Sequence, residues 1–411
     1  MRSVDEHLAA ILGALTPLAP LDLALLEAQG AVLAETVPAP VPLPPFDNSA
    51  MDGYAVCAAD VAPASPEAPV VLEVVGDVFA GDQGVNGIRP GLCTRIMTGA
   101  PMPGGADAVV PVEWTDGGTV QVRINRPVPP GNYIRRAGED VLEGQVVVPP
   151  GTLLGAAQLG MLATLGRSRV LVRPKPRVVV LSTGSELREP GSPLAHGQIW
   201  DSNSFMLTAA VAEAGGVGYR QQTVGDDPDK VLRAVHDQLM RADAVVTSGG
   251  VSMGARDVVK EAFSGAEARL TSPVEFTKVA MRPGRPQGFG LIADTRTPIF
   301  TLPGNPVSAY VSFQVFVRPA LRALQGLPPE PPDTVTAALT QDVRSPAGIR
   351  HYLRGVLSFA EDRGAYVVAP AEGQGSHQMA SLATANALIV MREDQEFLPA
   401  DSHVEVLRLP R

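Results

Sequence analysis

The run Arg177-Val178-Val179-Val180-Leu181-Ser182-Thr183-Gly184-Ser185-Glu186 is an unbroken apolar stretch that ends abruptly in small polar residues and glycine. A strand covered on both faces reads this way, because neither side of it meets water, and such strands belong to parallel sheets. A helical stretch begins at Asn203, with Ser202 or Asn203 as its cap. Asp243–Val246 then reads as strand, Asp257–Phe263 as helix, Pro298–Leu302 as strand and Pro306–Leu324 as helix. Strands alternating with helices predict a doubly wound α/β domain.

The chain changes character on both sides of this block. From Gly53 to about Asp140 it shows short β runs separated by turns, among them Val70–Val75, Thr94–Met97, Ala108–Val112 and Val120–Ile124. Upstream, Pro38 to Pro45 carries five prolines and must be extended. The first thirty residues place leucines and isoleucine at Leu8, Ile11, Leu12 and Leu15, then Leu23, Leu25 and Leu26 before Gly30. That spacing predicts two amphipathic helices. Downstream, Pro328-Pro329-Glu330-Pro331-Pro332 is a stiff linker, followed by short strands at Ala365–Val368, Ala387–Val390 and Val404–Leu407.

The 411 residues exceed what one core holds and predict two to four domains. Glycine and proline total 41 and 39, without a period, which excludes collagen and predicts many tight turns. The net charge of −10 gives no support to non-specific nucleic-acid binding. Cys57 and Cys93 are too few for a disulfide scaffold and are expected to be small buried hydrophobes. The longest apolar candidate for a membrane span, Val307 to Val317, stops at Arg318, well short of the roughly 20 residues needed. Asp5 and Glu6 spoil a secretory signal, so a cytoplasmic location is expected, with neither nucleic acid nor membrane as partner.

Three loops sit at carboxyl ends of the α/β strands, where doubly wound folds bind ligands. They are Ser182-Thr183-Gly184-Ser185-Glu186, Thr247-Ser248-Gly249-Gly250-Val251-Ser252-Met253-Gly254 running on to Asp257, and Leu302-Pro303-Gly304-Asn305-Pro306. Glycines let backbone N–H groups approach a phosphate, and a helix N-terminus adds partial positive charge. One such loop often needs glycine for steric reasons alone. Three in one domain point to a phosphorylated ligand.

Acidic residues lie in or near these loops: Glu186, Asp226, Asp227 and Asp257. Carboxylates are hard oxygen ligands suited to Mg²⁺ bridging substrate phosphates. For Asp227, in Asp226-Asp227-Pro228, a helix cap is the favoured reading. Lys278, Arg282 and Arg285 form a basic cluster in Thr277-Lys278-Val279-Ala280-Met281-Arg282-Pro283-Gly284-Arg285-Pro286, where proline and glycine fix the backbone. A cluster held that way suits an oxyanion, although a basic loop is usually a solvated surface. The six histidines and two cysteines form no zinc spacing, and Ser185 lacks the frame of a nucleophile elbow.

The segment Pro44-Pro45-Phe46-Asp47-Asn48-Ser49-Ala50-Met51-Asp52-Gly53-Tyr54-Ala55-Val56 packs two carboxylates, an amide and a hydroxyl into six residues ahead of a Gly-Tyr turn. It resembles the signature of the molybdopterin molybdenumtransferases, the MoeA family, which includes the C-terminal domain of gephyrin. Ile96-Met97-Thr98-Gly99-Ala100-Pro101 matches a second family motif, and the three glycine loops resemble the family's molybdopterin-binding domain. The resemblance covers essentially the whole chain. It implies a central doubly wound α/β domain at 175–327, a small β domain inserted at 45–140, an elongated discontinuous domain from 1–44 and 141–174, and a C-terminal β domain at 328–411.

The same resemblance implies an activity, the insertion of molybdate into adenylylated molybdopterin with release of AMP. Asp52, Glu186, Asp226, Asp257 and Lys278 then stand as catalytic, with Asp226, Asp257 and Glu186 holding Mg²⁺. Substrate binding falls to Thr98, Asp140, Ser182, Thr183, Gly184, Ser248, Gly249, Gly250, Ser252, Arg282, Arg285, Pro303, Gly304, Asn305, Arg354 and Ser376. Arg282 and Arg285 depart from the family's lysines, and arginine makes bidentate contacts where lysine is a point charge. Arg354 and Ser376 are implied to face the cleft of the other subunit of a homodimer; read alone, they are a surface arginine and a turn serine. Implied partners are a molybdopterin adenylyltransferase and downstream molybdoenzymes or their chaperones. Rival readings are the adenylylating sister class, a nucleotide pyrophosphatase on the same α/β domain, and a non-catalytic cofactor carrier or scaffold. The first two are expected to lack the Pro44–Val56 segment and the β modules.

Overall fold

The computed structural model describes residues 1–83, 85–250, 258–263, 270–292, 295–330 and 333–409. The chain divides into two compact units: Met1–Ala34 with Gly151–Gly155 and Arg169–Arg411, and Glu35–Pro150 with Ala156–Ser168.

In the larger unit a mixed sheet runs in the order Val217–Arg220, Arg177–Ser182, Ala244–Ser248, Thr297–Leu302, Pro286–Ile292, Leu270–Lys278. Its first four strands are parallel, and the last two add an antiparallel edge. The unbroken valine run explains the layering. Val178 and Val180 enter one core with Leu207, Val211, Phe300 and Phe316, while Val179 and Leu181 enter another with Val231, Val235 and Phe263. Alternate side chains on one strand thus feed opposite cores, each burial worth about 1.5–3 kcal/mol.

The helix expected at Pro306–Leu324 is present but interrupted. Pro306–Ser312 and Arg318–Leu324 are α-helical, and Phe313–Val317 between them is a π-helical turn. Pro319 has no N–H to give the preceding turn, and the wider register absorbs that loss.

Five C-terminal strands, Arg350–Ala360, Ala365–Pro370, Thr334–Leu339, His403–Arg408 and Ala387–Met391, form a sheet that closes on itself because the first also pairs with the last. A short strand from the α/β region, Met281–Arg282, joins its edge in parallel with Arg350–His351.

At the N-terminus, helix Val4–Ala14 is opened by a capping box of Ser3 and Glu6. The second expected helix is absent: Leu21–Ala24 is a strand paired antiparallel with Arg169–Arg173, and a turn leads from it to Gly30. The nine residues between Pro20 and Gly30 are too few to hold a helix by themselves, and a ladder partner was available.

The smaller unit holds a five-stranded sheet, ordered Ala108–Pro111, Gly53–Val56, Leu92–Ile96, Val70–Val78, Gln121–Ile124. Tyr54 is fully buried in its core and donates its hydroxyl to the carbonyl of Gly118 at 2.9 Å. Gly53 lies against the backbone of Val110, leaving no room for a Cβ. Cys93 is buried in this core, whereas Cys57 is partly exposed. Among the described residues no helix is long and apolar enough to cross a membrane.

Candidate functional site

Two cavities in the larger unit collect most of the chemistry anticipated from sequence. The first, of about 770 Å³, lies at the carboxyl ends of the parallel strands. Thr183, Gly184, Glu186, Asp226, Ser248, Gly249, Gly250, Pro303, Gly304 and Asn305 all line it. Their loops are tied to one another through the backbone. Thr183 N–H donates to the carbonyl of Ser248 at 2.9 Å, and Gly249 N–H to that of Leu302 at 3.1 Å. Gly250 has φ +67, and a Cβ there would meet the Val259 side chain at 2.6 Å. Only glycine fits that turn.

Not every expected residue faces this cavity. The Ser182 hydroxyl donates to Asp201 at 2.9 Å, behind the loop. Ser248 donates its hydroxyl to the carbonyl of Pro303 at 3.2 Å and accepts from the Asn203 amide at 2.7 Å. Asn203 also donates to the carbonyl of Gly304 at 2.7 Å, so one amide joins the second and third loops. Asp201 is almost fully buried and accepts from Ser182, from the N–H and hydroxyl of Ser204, and from Thr223. It therefore caps the helix Asn203–Glu213 in place of Ser202, which makes no side-chain capping bond. Asp201 was not anticipated, and Asn203 was expected only as a possible helix cap, not as the link between loops; the signal was the Asp201-Ser202-Asn203-Ser204 sequence ahead of an apolar helix.

The carboxylates divide in role. Asp227 accepts from Lys230 N–H and caps Pro228–His236, as read from sequence; that bond holds its carboxyl below the ordinary range. Asp226 accepts from Ser185 N–H at 3.0 Å, and Ser185 accepts in return from Asp226 N–H at 3.1 Å. Glu186 folds over Gly184, where a Cβ would stand 2.7 Å from its carboxylate oxygen. Asp257 and Ser252 lie outside the described residues. Among the described residues no group of three or more His, Cys, Asp or Glu could hold a metal. Glu186 and Asp226 still present hard oxygens on one exposed rim, and Mg²⁺ needs only one or two carboxylates when phosphates and waters complete its shell.

The second cavity, of about 530 Å³, is lined by Arg282, Pro283, Gly284, Arg285, Ser308, Gln374, Gly375, Ser376 and His377. Gly284 (φ +97) packs on the Ser312 hydroxyl and gives the turn its sharpness. Arg282 and Arg285 are exposed and form no ion pair among the described residues. Lys278 ends the strand Leu270–Lys278, is also exposed, and lines neither cavity.

Arg354 is not the surface arginine of the simple reading. It is fully buried. Its Nε donates to the Ser381 hydroxyl at 2.9 Å and its Nη2 to the carbonyls of Gly373 and Gly375, at 2.5 and 3.2 Å. Its Nη1 is buried without a partner among the described residues, and burial lowers its pKa from the ordinary value. The loop it grips reaches the α/β region of the same chain, where Val307 N–H donates to the carbonyl of Ser376 at 3.1 Å.

In the smaller unit, Asp52 accepts from both the N–H and the hydroxyl of Thr98, at 2.7 and 2.8 Å. Those bonds hold its carboxyl below the usual range. Asp140 is exposed. Other oxygens of the Asp47–Asp52 stretch are taken up within the smaller unit: Asp47 accepts from the Arg136 guanidinium and from Ala137 N–H, and Ser49 donates to the carbonyl of Met51.

Comparison with known proteins assigns the whole chain. Residues 2–166 match the MoeA N-terminal region (domain I and II), 179–323 the probable molybdopterin binding domain, and 336–409 the MoeA C-terminal region (domain IV). The chain is 47% identical over 407 residues to molybdopterin molybdenumtransferase 2 of Mycobacterium tuberculosis, covering 99% of each. It is 40% identical over 424 residues to molybdopterin molybdenumtransferase 1 of the same organism, covering 99% of this chain and 98% of that one. Among solved structures, a molybdopterin biosynthesis MoeA protein from Pyrococcus horikoshii matches with a TM-score of 0.80 and 30% identity, covering 99% of this chain and 98% of the other.

Proposed function

The chain belongs to the MoeA family of molybdopterin molybdenumtransferases, and from that premise we propose that it inserts molybdate into adenylylated molybdopterin, releasing AMP. One observation carries this reading at the level of chemistry: two adjoining cavities, one ringed by glycine loops and carboxylates, the other by two unpaired arginines, share Ser308 and His377 in their walls.

The division of labour follows from the donors available. Thr183, Gly249, Gly250, Gly304 and Asn305 would line the phosphate site; the N–H groups of Thr183 and Gly249 already bond Ser248 and Leu302, so those of Gly250, Gly304 and Asn305 would meet the negative charge. Arg282 and Arg285 would hold the molybdate oxygens. Glu186 and Asp226, joined by Asp257, would hold Mg²⁺. That ion, when bound, neutralises charge on the phosphoanhydride. Asp52 and Thr98 act in the same reading as a hydrogen-bonded pair, with Asp140, Ser376 and Lys278 as further polar contacts.

In the same reading the protein is a cytoplasmic homodimer with the four-domain division given above, taking substrate from a molybdopterin adenylyltransferase and passing cofactor to molybdoenzymes or their chaperones.

The deciding assay follows AMP release from adenylylated molybdopterin by the purified protein with Mg²⁺, with and without molybdate. Molybdate-dependent release together with active cofactor supports the transferase. Release with no cofactor formed would make it a nucleotide hydrolase. Binding without cleavage would make it a carrier.

A further inference from the structure

His377 was not among the residues singled out from sequence, yet with Ser308 it is one of the two residues common to both cavities. Ser308 is buried in the first turn of the helix Pro306–Ser312, whereas His377 is exposed. Its imidazole has no hydrogen-bond partner among the described residues, so both ring nitrogens are available to a ligand. Gly375 lies beside the ring: a Cβ there would stand 2.8 Å from the Gln378 amide oxygen and 3.0 Å from the His377 Cε1. Arg282 and Arg285 line one of these cavities with it, Glu186 and Asp226 the other.

Resting on the transferase reading, we propose that His377 is a substrate-contacting residue that bridges the oxyanion in the arginine cavity and the phosphate in the glycine-loop cavity. Two anions side by side repel, and the arginines serve only one of them. An imidazolium donates from both nitrogens, so one group at the junction can bond each anion at once. Occupation of one cavity then favours occupation of the other, and the coupling is reciprocal.

The test uses sodium molybdate and AMP as probes on the full chain. In the wild type, saturating molybdate should tighten AMP binding at least fivefold, and AMP should tighten molybdate by the same factor. His377→Ala should bring that factor within about twofold of one, while His377→Gln, which keeps a single donor nitrogen, should fall between. Absence of coupling in the wild type, or coupling unchanged in His377→Ala with its circular dichroism intact, overturns the bridge. AMP release from adenylylated molybdopterin is followed in parallel. A wild type that couples its ligands but never releases AMP removes the transferase reading and leaves the bridge standing. Molybdate-dependent release with coupling intact in His377→Ala removes the bridge alone.

Discussion

The backbone N–H of Val307 donates to the carbonyl oxygen of Ser376, so a loop of the C-terminal barrel seals the first turn of the helix that follows the third glycine loop. The barrel is thereby part of the wall of the candidate site. Arg354, from inside the barrel, fixes the other end of that loop through Gly373 and Gly375.

Arg354→Lys should therefore loosen the loop. An ammonium cannot reproduce the fork that reaches two carbonyls and a hydroxyl at once. Hydrogen exchange across 373–381 should accelerate at least tenfold, about 1.4 kcal/mol of lost protection, and molybdate affinity should fall with it. Unchanged exchange would mean that the loop holds itself.

Gly249→Ala should damage nucleotide binding and leave most of the fold intact. Gly249 has φ +96, and its Cβ would press on the carbonyl oxygen of Thr183, forcing the first two loops apart. AMP affinity by calorimetry should drop by at least tenfold, with far-ultraviolet circular dichroism unaltered. Wild-type affinity in this variant would show that the loops adjust without cost.

Asp201→Ala should destabilise the larger unit by about 3 kcal/mol or more, because it strands several buried donors together. Ser182, Ser204 and Thr223 all lose their acceptor. Urea denaturation followed by a probe in that unit measures the loss, and a change below about 1 kcal/mol would contradict it.

Acid should weaken the larger unit through two buried histidines. Burial, reinforced by Arg2 for His7 and by Arg282 and Arg354 for His351, lowers both pKa values to about 4. Between the ordinary value near 6.5 and about 4, the unfolded chain takes up protons that the folded one refuses. Stability is therefore complete above about pH 6.5 and declines as pH falls, by about 3 kcal/mol per histidine at most. His351→Leu should flatten roughly half of that decline; a pH profile identical to wild type would exclude His351 from it.

What could be read ahead of the structure followed physical lines. The sheet was legible because Val178–Leu181 is apolar at consecutive positions, a pattern that only a two-faced burial explains. The glycine loops were legible because positive φ and close approach leave few alternatives to glycine. Leu23, Leu25 and Leu26 misled because spacing alone cannot separate a helix from a strand whose partner lies far along the chain, here at Arg169–Arg173. The buried state of Arg354 was hidden for the same reason: the carbonyls that accept from it belong to residues near 373–375, and nothing local announces them. His377 carried no signal beyond its place after Ser376. Only the folded chain sets it between two cavities.

The short parallel ladder of Met281–Arg282 with Arg350–His351 has a consequence for how such a chain can be rearranged. The family boundaries at 323 and 336 suggest two exchangeable cassettes, yet the arginine turn takes its backbone partner from beyond both. A chimera that joins this α/β segment to a foreign C-terminal segment would inherit the basic residues without the strand that aims them. The two segments are thus bound to travel through recombination together, as a single heritable block.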